Sequence, residues 1–301
     1  MIGKQNNTVT ASSIDQTEQK KALSNYWNTH PIATDSVPYE PGTRESYEAI
    51  YAKYKRETDQ MRLDFLEDCR GKKVLEVGCG IGMDSRFLTE NGIDHYGLDY
   101  SFRSLQLAKK HFDLNQLRKR FTNADAVSLP FASNEFGLVM SIGVIHHIIG
   151  TPEACRELIR VCQPGGIVRV MFYNQNSYHY ALVNLIVRPL IWLMLRLRFL
   201  EAFLSFAPSK FKHMYQISKE HGFSKQLLLA ISADTSFAGT NNFIPKSGFW
   251  TESEMRALFD GLEDFHFIRS DLRYFPLPFL RRFVEKRWGF FLTMIARKPK
   301  T

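Results

Sequence analysis

The sequence predicts an α/β fold, a doubly wound and mostly parallel sheet with helices on both faces, on three observations. From Lys73 to Tyr173 short apolar runs alternate with helical patterns: KVLEVG, a helix from about Met83 to Asn91, DHYGLD, SFRSLQLAKKHF, KRFTNAD, FGLVMSIG, PEACRELIRVC and GGIVRVMFY. Strands and helices alternating at this pace pair in parallel through crossover helices. The first strand runs into VLEVGCGIG, where Gly78, Gly80 and Gly82 occupy alternate positions. Asp99 and Asp125 then close the second and third strands, at the sheet end where an open α/β fold meets its ligand.

Taken in chain order, EQKKALSNYWNTHP reads as a helix, ATDSVPYEPGT as a Pro- and Gly-rich loop, and RESYEAIYAKYKRETDQMRLDFLED as a long helix. Residues 1–70 form an N-terminal helical lid in this reading, and 71–173 the ligand-binding core. Residues 174–250 interrupt the rhythm as an apolar, basic insertion shaped as a helical cap. Residues 251–301 return to the sheet: Thr251 and Glu254 make a capping box, and FHFIRSDL and GFFLTMIARK are strands, the last returning antiparallel.

Composition supports one sizeable core with appendages, since 44% of the 301 residues are hydrophobic and 13% aromatic. The polar N-terminus lacks the apolar stretch of a signal peptide, so a cytoplasmic location is expected. Cys69, Cys79, Cys155 and Cys162 form no CxxC pair, which favours reduced thiols over a disulfide frame or zinc site. No metal is expected. The net charge of +8 lies wholly in residues 174–301, with 18 Lys and Arg against 10 Asp and Glu, whereas the rest holds 21 of each. That half either faces something acidic or is a solvated basic face.

The glycine stretch is neither of the common phosphate loops. A dinucleotide fingerprint requires glycine where Met83 stands, and no Gly-Lys-Ser/Thr follows. Asp99 is placed to accept from both hydroxyls of a ribose, and Asp125 from an exocyclic adenine amine.

These residues together, EVGCGIG (76–82), Leu98-Asp99, Ala124-Asp125-Ala126 followed by LPF, SIGVIHH (141–147) and ELIRVCQPGG (157–166), resemble the class I S-adenosylmethionine-dependent methyltransferases, particularly the small-molecule group that includes the quinone-biosynthesis enzymes. The resemblance is dense over residues 72–173 and sparse over 251–298. It implies a seven-stranded sheet with an antiparallel last strand and S-adenosyl-L-methionine as cofactor. The implied cofactor group is Glu76, Gly78, Cys79, Gly80, Gly82, Asp99, Tyr100, Asp125, Ala126, Ser141 and Ile142. In it the glycines lie beside the methionyl part, Asp99 on the ribose, Asp125 near the adenine, and Ser141 and Ile142 at the methionine end. Gly137 departs from the pattern, standing where the family usually has an aspartate.

The expected base follows the fourth strand. His147 matches the histidine that phosphoethanolamine methyltransferases use with a lid tyrosine, and Tyr26 is the lid partner expected here; His146 is the second candidate. Histidine titrates near working pH, which suits proton removal, although either ring is also readable as structural, satisfied by backbone carbonyls. Tyr26, Trp27, His30, Arg44 and Tyr47 are lid candidates, with Arg44 and Tyr47 expected at the substrate.

The insertion carries LVNLIVRPLIWLMLRLRFLEAFLSF, residues 182–206. It is long enough to span a bilayer, but Arg188, Arg196 and Arg198 make spanning costly. On a helical wheel Asn184 and these arginines fall within about 160°, leaving a broad apolar face. That pattern fits a cap over a greasy pocket, a peripheral membrane contact or a dimer interface, broken into two helices at Pro189. Trp192 and Phe249 are expected to touch substrate; Phe243, Trp250, Tyr274 and Phe275, like Phe249, are readable as lining the same cavity, although core packing is the commoner role for each alone. No Asp/Asn-Pro-Pro-aromatic sequence follows the fourth strand to hold a flipped base, so nucleic acid is not expected. The expected function is methyl transfer to a small, largely apolar acceptor such as a quinone, lipid-like molecule or natural product. A non-catalytic, membrane-peripheral cofactor-binding scaffold or regulator, and an enzyme moving another group of the same cofactor, remain the alternatives. The sequence sets no oligomeric state.

Overall fold

A computed structural model describes residues 16–234, 247–272 and 275–300. Phe243 and Tyr274 lie outside them. In chain order the elements are α1 (Gln16–Thr29), α2 (Arg44–Cys69), β1 (Lys73–Val77), α3 (Met83–Glu90), β2 (Asp94–Asp99), α4 (Phe102–Leu114), β3 (Phe121–Asn123), β4 (Phe136–Ile142), α5 (Thr151–Val161), β5 (Cys162–Asn174), α6 (Tyr178–Leu182), α7 (Arg188–Arg196), α8 (Ser209–His221), α9 (Lys225–Asp234), β6 (Phe249–Trp250), α10 (Glu252–Leu258), β7 (Glu263–Ser270), α11 (Arg281–Trp288) and β8 (Phe291–Arg297).

The sheet runs β3-β2-β1-β4-β5-β8-β7. Strands β1 to β5 are mutually parallel, and β8 lies antiparallel between β5 and β7. This is the expected arrangement, with the two-residue β6 beside β5 as an additional eighth strand. The strands read as continuous apolar runs because both faces of the sheet are covered. In β1 the neighbours Val74 and Leu75 are both wholly buried on opposite faces. Val74 packs with Leu88 of α3 and with Phe65 and Cys69 of α2, whereas Leu75 joins Leu158 of α5 and Met255 of α10.

Helix α2 is locked behind the sheet rather than over its open end. Its Tyr47, Ile50 and Tyr51 pack against Ile81, Met83 and Leu107. The Arg86 guanidinium, nearly buried, reaches Glu48 of α2 and Glu90 of α3, each at 2.7 Å. Helix α1 takes the other position, across the ends of β2 and β3. Asn28 Oδ1 accepts from the Ser101 hydroxyl (3.0 Å) and the Arg103 N–H (3.1 Å) at the start of α4.

The insertion builds its own small core, in which Val183, Ile191 and Met194 pack with Met214, Tyr215, Ile217, Leu228 and Ile231 of α8 and α9. Pro189 does not divide the helix as expected. Residues 183–187 form a single π turn in which Arg188 N–H donates to Val183 O, and α7 continues from it. Widening the preceding turn relieves the clash between a proline ring and the carbonyl four residues back. The helix ends instead at Leu197 (φ −109°, ψ 78°), and residues 198–206 continue as a 3₁₀ helix.

Helix α10 begins on the expected capping box, Thr251 Oγ1 accepting from Glu254 N–H and the Glu254 carboxylate from Thr251 N–H. Replacing Thr251 by Ala leaves an N–H of the first turn unpaired and is expected to lower stability by about 1 kcal/mol. Urea unfolding reads this as a lower midpoint at unchanged slope.

Candidate functional site

The turn from β1 into α3 is pinned to the end of β2 from two sides. Gly78 N–H and Cys79 N–H both donate to Leu98 O, at 2.7 and 3.0 Å, while Gly80 N–H donates to the Asp99 carboxylate at 2.8 Å. Gly78 (φ 85°) and Gly80 (φ 53°) adopt backbone that side chains disfavour. Space excludes them too: a Cβ on Gly78 would lie 2.3 Å from Val144 Cγ2, and one on Gly80 2.8 Å from Ile32 Cγ2. The result is main chain laid bare along one wall of a cavity.

Asp99 forms the next part of that wall. Its other oxygen accepts from Ser101 N–H at 2.8 Å. Burial pushes its pKa up to about 6, opposed by the N–H groups of Ser101 and Gly80. Beneath the turn, Glu76 accepts from the Ser85 hydroxyl (2.6 Å) and lies 3.0 Å from His95 Nε2, tying β1, α3 and β2 together.

The cavity measures about 920 Å³ including its open mouth. Of the residues expected at the cofactor it brings together Gly78, Gly80, Asp99, Tyr100, Asp125, Ala126 and Ile142, and His147 lines it as well. Asp125 is paired with Lys20 Nζ of α1 at 2.8 Å. Apolar side chains make up much of the remaining lining: Leu23, Trp27, Ile32, Val144, Ile148 and Ile149. Lys20, Leu23, Ile32 and Val144 were not anticipated. The signal was present, because Lys20, Leu23 and Trp27 stand at i, i+3 and i+7, one face of a helix.

Four expected cofactor residues do not line the cavity. Glu76 is turned beneath the glycine turn as described. Cys79 is buried, and desolvation raises its thiol pKa well above the usual value. Gly82 begins α3 against Phe112 and Ala108. Ser141 is fully buried, its hydroxyl donating to Val77 O at 2.8 Å.

The two histidines share one 3₁₀ turn, Ile145–His147, with ring centroids 4.2 Å apart. His147 Nδ1 lies 3.3 Å from Ser247 Oγ, and its ring meets the Trp27 ring at 5.6 Å. His146 packs on Tyr173 with ring centroids 3.9 Å apart and is not in the cavity wall. Tyr26 is not in the wall either. It stacks on His30 at 5.0 Å, whereas the His147 ring meets Trp27, one helical position on, at 5.6 Å and Tyr173 at 5.7 Å.

The expected substrate residues lie elsewhere. Arg44 opens α2, and its guanidinium donates to Leu114 O at 2.5 Å. Tyr47 is buried, its hydroxyl donating to Leu107 O at 2.7 Å and its ring stacked on His111, with its pKa pushed up by burial to about 12. Both follow from α2 packing behind α3 and α4. Trp192 is on the outer face of α7, with the Arg196 guanidinium 4.5 Å from its ring centroid. Phe249 is wedged between Tyr173 and Tyr180, Trp250 packs on Phe172, and Phe275 meets Tyr178. Among the described residues none of 182–206 lines the cavity; Val183, Ile191 and Met194 of this stretch pack on α8 and α9. Among the described residues no cluster of three or more His, Cys, Asp or Glu side chains is arranged to hold a metal ion.

A family described as "Methyltransferase domain" matches residues 75–170. The chain is 28% identical over 134 residues to a ubiquinone biosynthesis O-methyltransferase of Cereibacter sphaeroides, covering 42% of this chain and 53% of that protein. It is 27% identical over 199 residues to the 2-methyl-6-phytyl-1,4-hydroquinone methyltransferase of Synechocystis, covering 63% and 58%. The chain thus spans little more than half the length of these curated relatives. Among solved structures, the PH0226 protein of Pyrococcus horikoshii superposes with a TM-score of 0.51 at 15% identity, covering 91% of this chain and 98% of that one, a likeness of fold.

The raised Asp99 pKa has a stability consequence. The folded protein holds this proton more tightly than the unfolded chain, whose value is 3.8, so unfolding free energy falls as pH rises from about 4 to about 6. The loss is expected to reach at most about 3 kcal/mol. Urea unfolding across this range should show the slope in the native protein and a flatter profile in Asp99→Asn.

Proposed function

We propose that this chain, whose residues 75–170 match a methyltransferase domain, transfers the methyl group of S-adenosylmethionine to a small, largely apolar acceptor. The observation that carries this reading is the cavity itself: main chain at Gly78 and Gly80 and two carboxylates set in a lining of otherwise largely apolar side chains. The fit to the cofactor is chemical. Asp99 accepts from ribose hydroxyls, Asp125 accepts from the adenine amine once Lys20 yields its ion pair, and glycine main chain admits the methionyl part without side-chain obstruction.

When bound, the cofactor supplies a methyl on a positively charged sulfur, an electrophile that needs no covalent assistance from the protein. The chain's work is then alignment and exclusion of water. Leu23, Trp27, Ile32 and Val144 line the acceptor side and strip water from it, while the fixed wall orients the reactants. Alignment of this kind contributes on the order of 7–11 kcal/mol. His147, in the same lining and oriented through Nδ1 by Ser247, takes the acceptor's proton. Helix α1 covers the cavity, so the lid assigned to residues 1–70 is narrowed to α1 and the loop carrying Ile32. The apolar acceptor is also supported by the names of the relatives, which act in ubiquinone biosynthesis and on a phytyl hydroquinone. Residues 71–173 hold the cofactor, 251–301 complete the sheet, and the 174–250 insertion brings the protein, in the cytoplasm, to a lipid surface through 182–206.

Incubating the purified chain with methyl-labelled S-adenosylmethionine and a quinone or lipid extract should yield a labelled apolar product; absence of label from every fraction would overturn the reading. With a responsive acceptor, His147→Ala should lower kcat roughly 10²- to 10⁴-fold, the usual contribution of a general base, with cofactor affinity little changed. Unchanged turnover would remove His147 from the chemistry.

A further inference from the structure

Two connections leave the sheet at one end. Strand β7 runs parallel to β5, because β8 is antiparallel to both. The insertion that follows β5 and the segment 278–288 that follows β7 therefore start from the same end of the sheet as Gly78, Gly80 and Asp99. Their roots touch: Tyr178 meets Phe275 with ring centroids 5.3 Å apart, and His179 meets Phe290 at 4.8 Å.

Both connections present large apolar side chains outward. In the insertion Phe199, Phe203 and Phe206 are exposed, Phe206 to 89%. In the second connection Phe279 and Phe283 are exposed to 79% and 83%, and Trp288 is half-exposed. The insertion's inner face is already filled by its own core, Ile191 and Met194 on Tyr215 and Leu228, so its outward aromatics are surplus to folding. Apolar exposure of this kind marks an interaction surface. Exposed cations stand among these side chains: Arg196 and Lys212 in the insertion, Lys286 and Arg287 in α11.

We propose that this end of the sheet docks on a bilayer surface bearing anionic headgroups, with the phenylalanines of both connections entering the interface and the basic side chains meeting the headgroups. This deepens the lipid contact read above for 182–206 by adding Pro278–Trp288 as a second point of attachment. Two points of attachment also fix orientation, turning the end of the sheet that carries the cavity toward the layer in which an apolar acceptor dissolves. Charge selects the occupant. Residues 182–206 carry Arg188, Arg196 and Arg198 against Glu201, and 278–288 carry Arg281, Arg282, Lys286 and Arg287 against Glu285, a positive balance that an anionic surface complements and a second copy of the same face would repel. Helix residues Tyr178–Arg196 are long and apolar enough to cross a membrane, with mean hydropathy 1.3. Val183, Ile191 and Met194 nevertheless face the protein's own core, so this helix lies in the interface rather than through it.

The test is co-sedimentation of the full chain, without cofactor or acceptor, with vesicles of phosphatidylcholine alone or mixed with phosphatidylglycerol. Binding is expected to the mixed vesicles and to weaken with salt. Phe203→Ser with Phe206→Ser, and separately Phe279→Ser with Phe283→Ser, should each lower partitioning at least about tenfold. Lys286→Gln with Arg287→Gln should lower it by about fivefold per charge. These positions are exposed, and an unchanged melting temperature confirms intact folding. Equal binding to neutral and mixed vesicles, or variants that sediment like the parent, would overturn the proposal. So would a dimer in size exclusion that the Phe279/Phe283 variant converts to monomer, which assigns the face to a second copy. Methyl transfer plays no part in this assay, so either reading can fail while the other stands.

Discussion

The contact on which the site depends is the hydrogen bond from Gly80 N–H to the Asp99 carboxylate. It joins the turn after β1 to the end of β2, and with Leu98 O accepting from Gly78 and Cys79 it fixes the path of main chain along the cavity wall. A carboxylate so placed is desolvated, and two backbone donors only partly compensate, which is why its pKa rises to about 6. A ligand bringing further hydroxyl donors completes that shell.

Around this contact the fold separates rigid support from cover. Buried polar groups lock the rear: Glu76 with Ser85 and His95, and Arg86 with Glu48 and Glu90. The cover is held more lightly. Helix α1 rests on hydrogen bonds from Ser101 and Arg103 to Asn28, on the half-buried Lys20–Asp125 pair, and on the Trp27–His147 contact. Exposed or partly exposed ion pairs contribute little to stability, so α1 is the element best suited to open for ligand exchange. The Lys20–Asp125 pair places a cation on the group proposed to receive the adenine, and binding exchanges one partner for the other.

The sheet and most of the glycine wall were legible in the sequence because they rest on short-range signals. Alternating apolar runs give strands buried on both faces, and glycines after a strand with acids at later strand ends give the ligand-binding end. Side-chain direction was not legible where packing decides it. Arg44 and Tyr47 read as substrate groups from their aromatic, proline-rich surroundings, but the Tyr47–His111 stack and the contacts of Ile50 and Tyr51 place α2 behind the sheet. Tyr26 and Trp27 differ by one residue, and the roughly 100° between them on a helix decides which reaches His147. Glu76 and Ser141 lie within recognisable motifs yet face inward, since alternate residues of a strand point to opposite faces. The insertion's apolar face was visible as a pattern, but its inner half is consumed by α8 and α9, which no local pattern in 182–206 could disclose.

The wall formed by Gly78, Gly80 and Asp99 is proposed to receive a sulfur-bearing nucleoside. A crystal structure of the chain grown with S-adenosylhomocysteine tests it most directly. Density is expected in this cavity, with both ribose hydroxyls within hydrogen-bonding distance of Asp99 and the thioether toward Ile142 and His147. Density for the nucleoside at another place on the molecule, with the Gly78–Asp99 wall untouched, would contradict it.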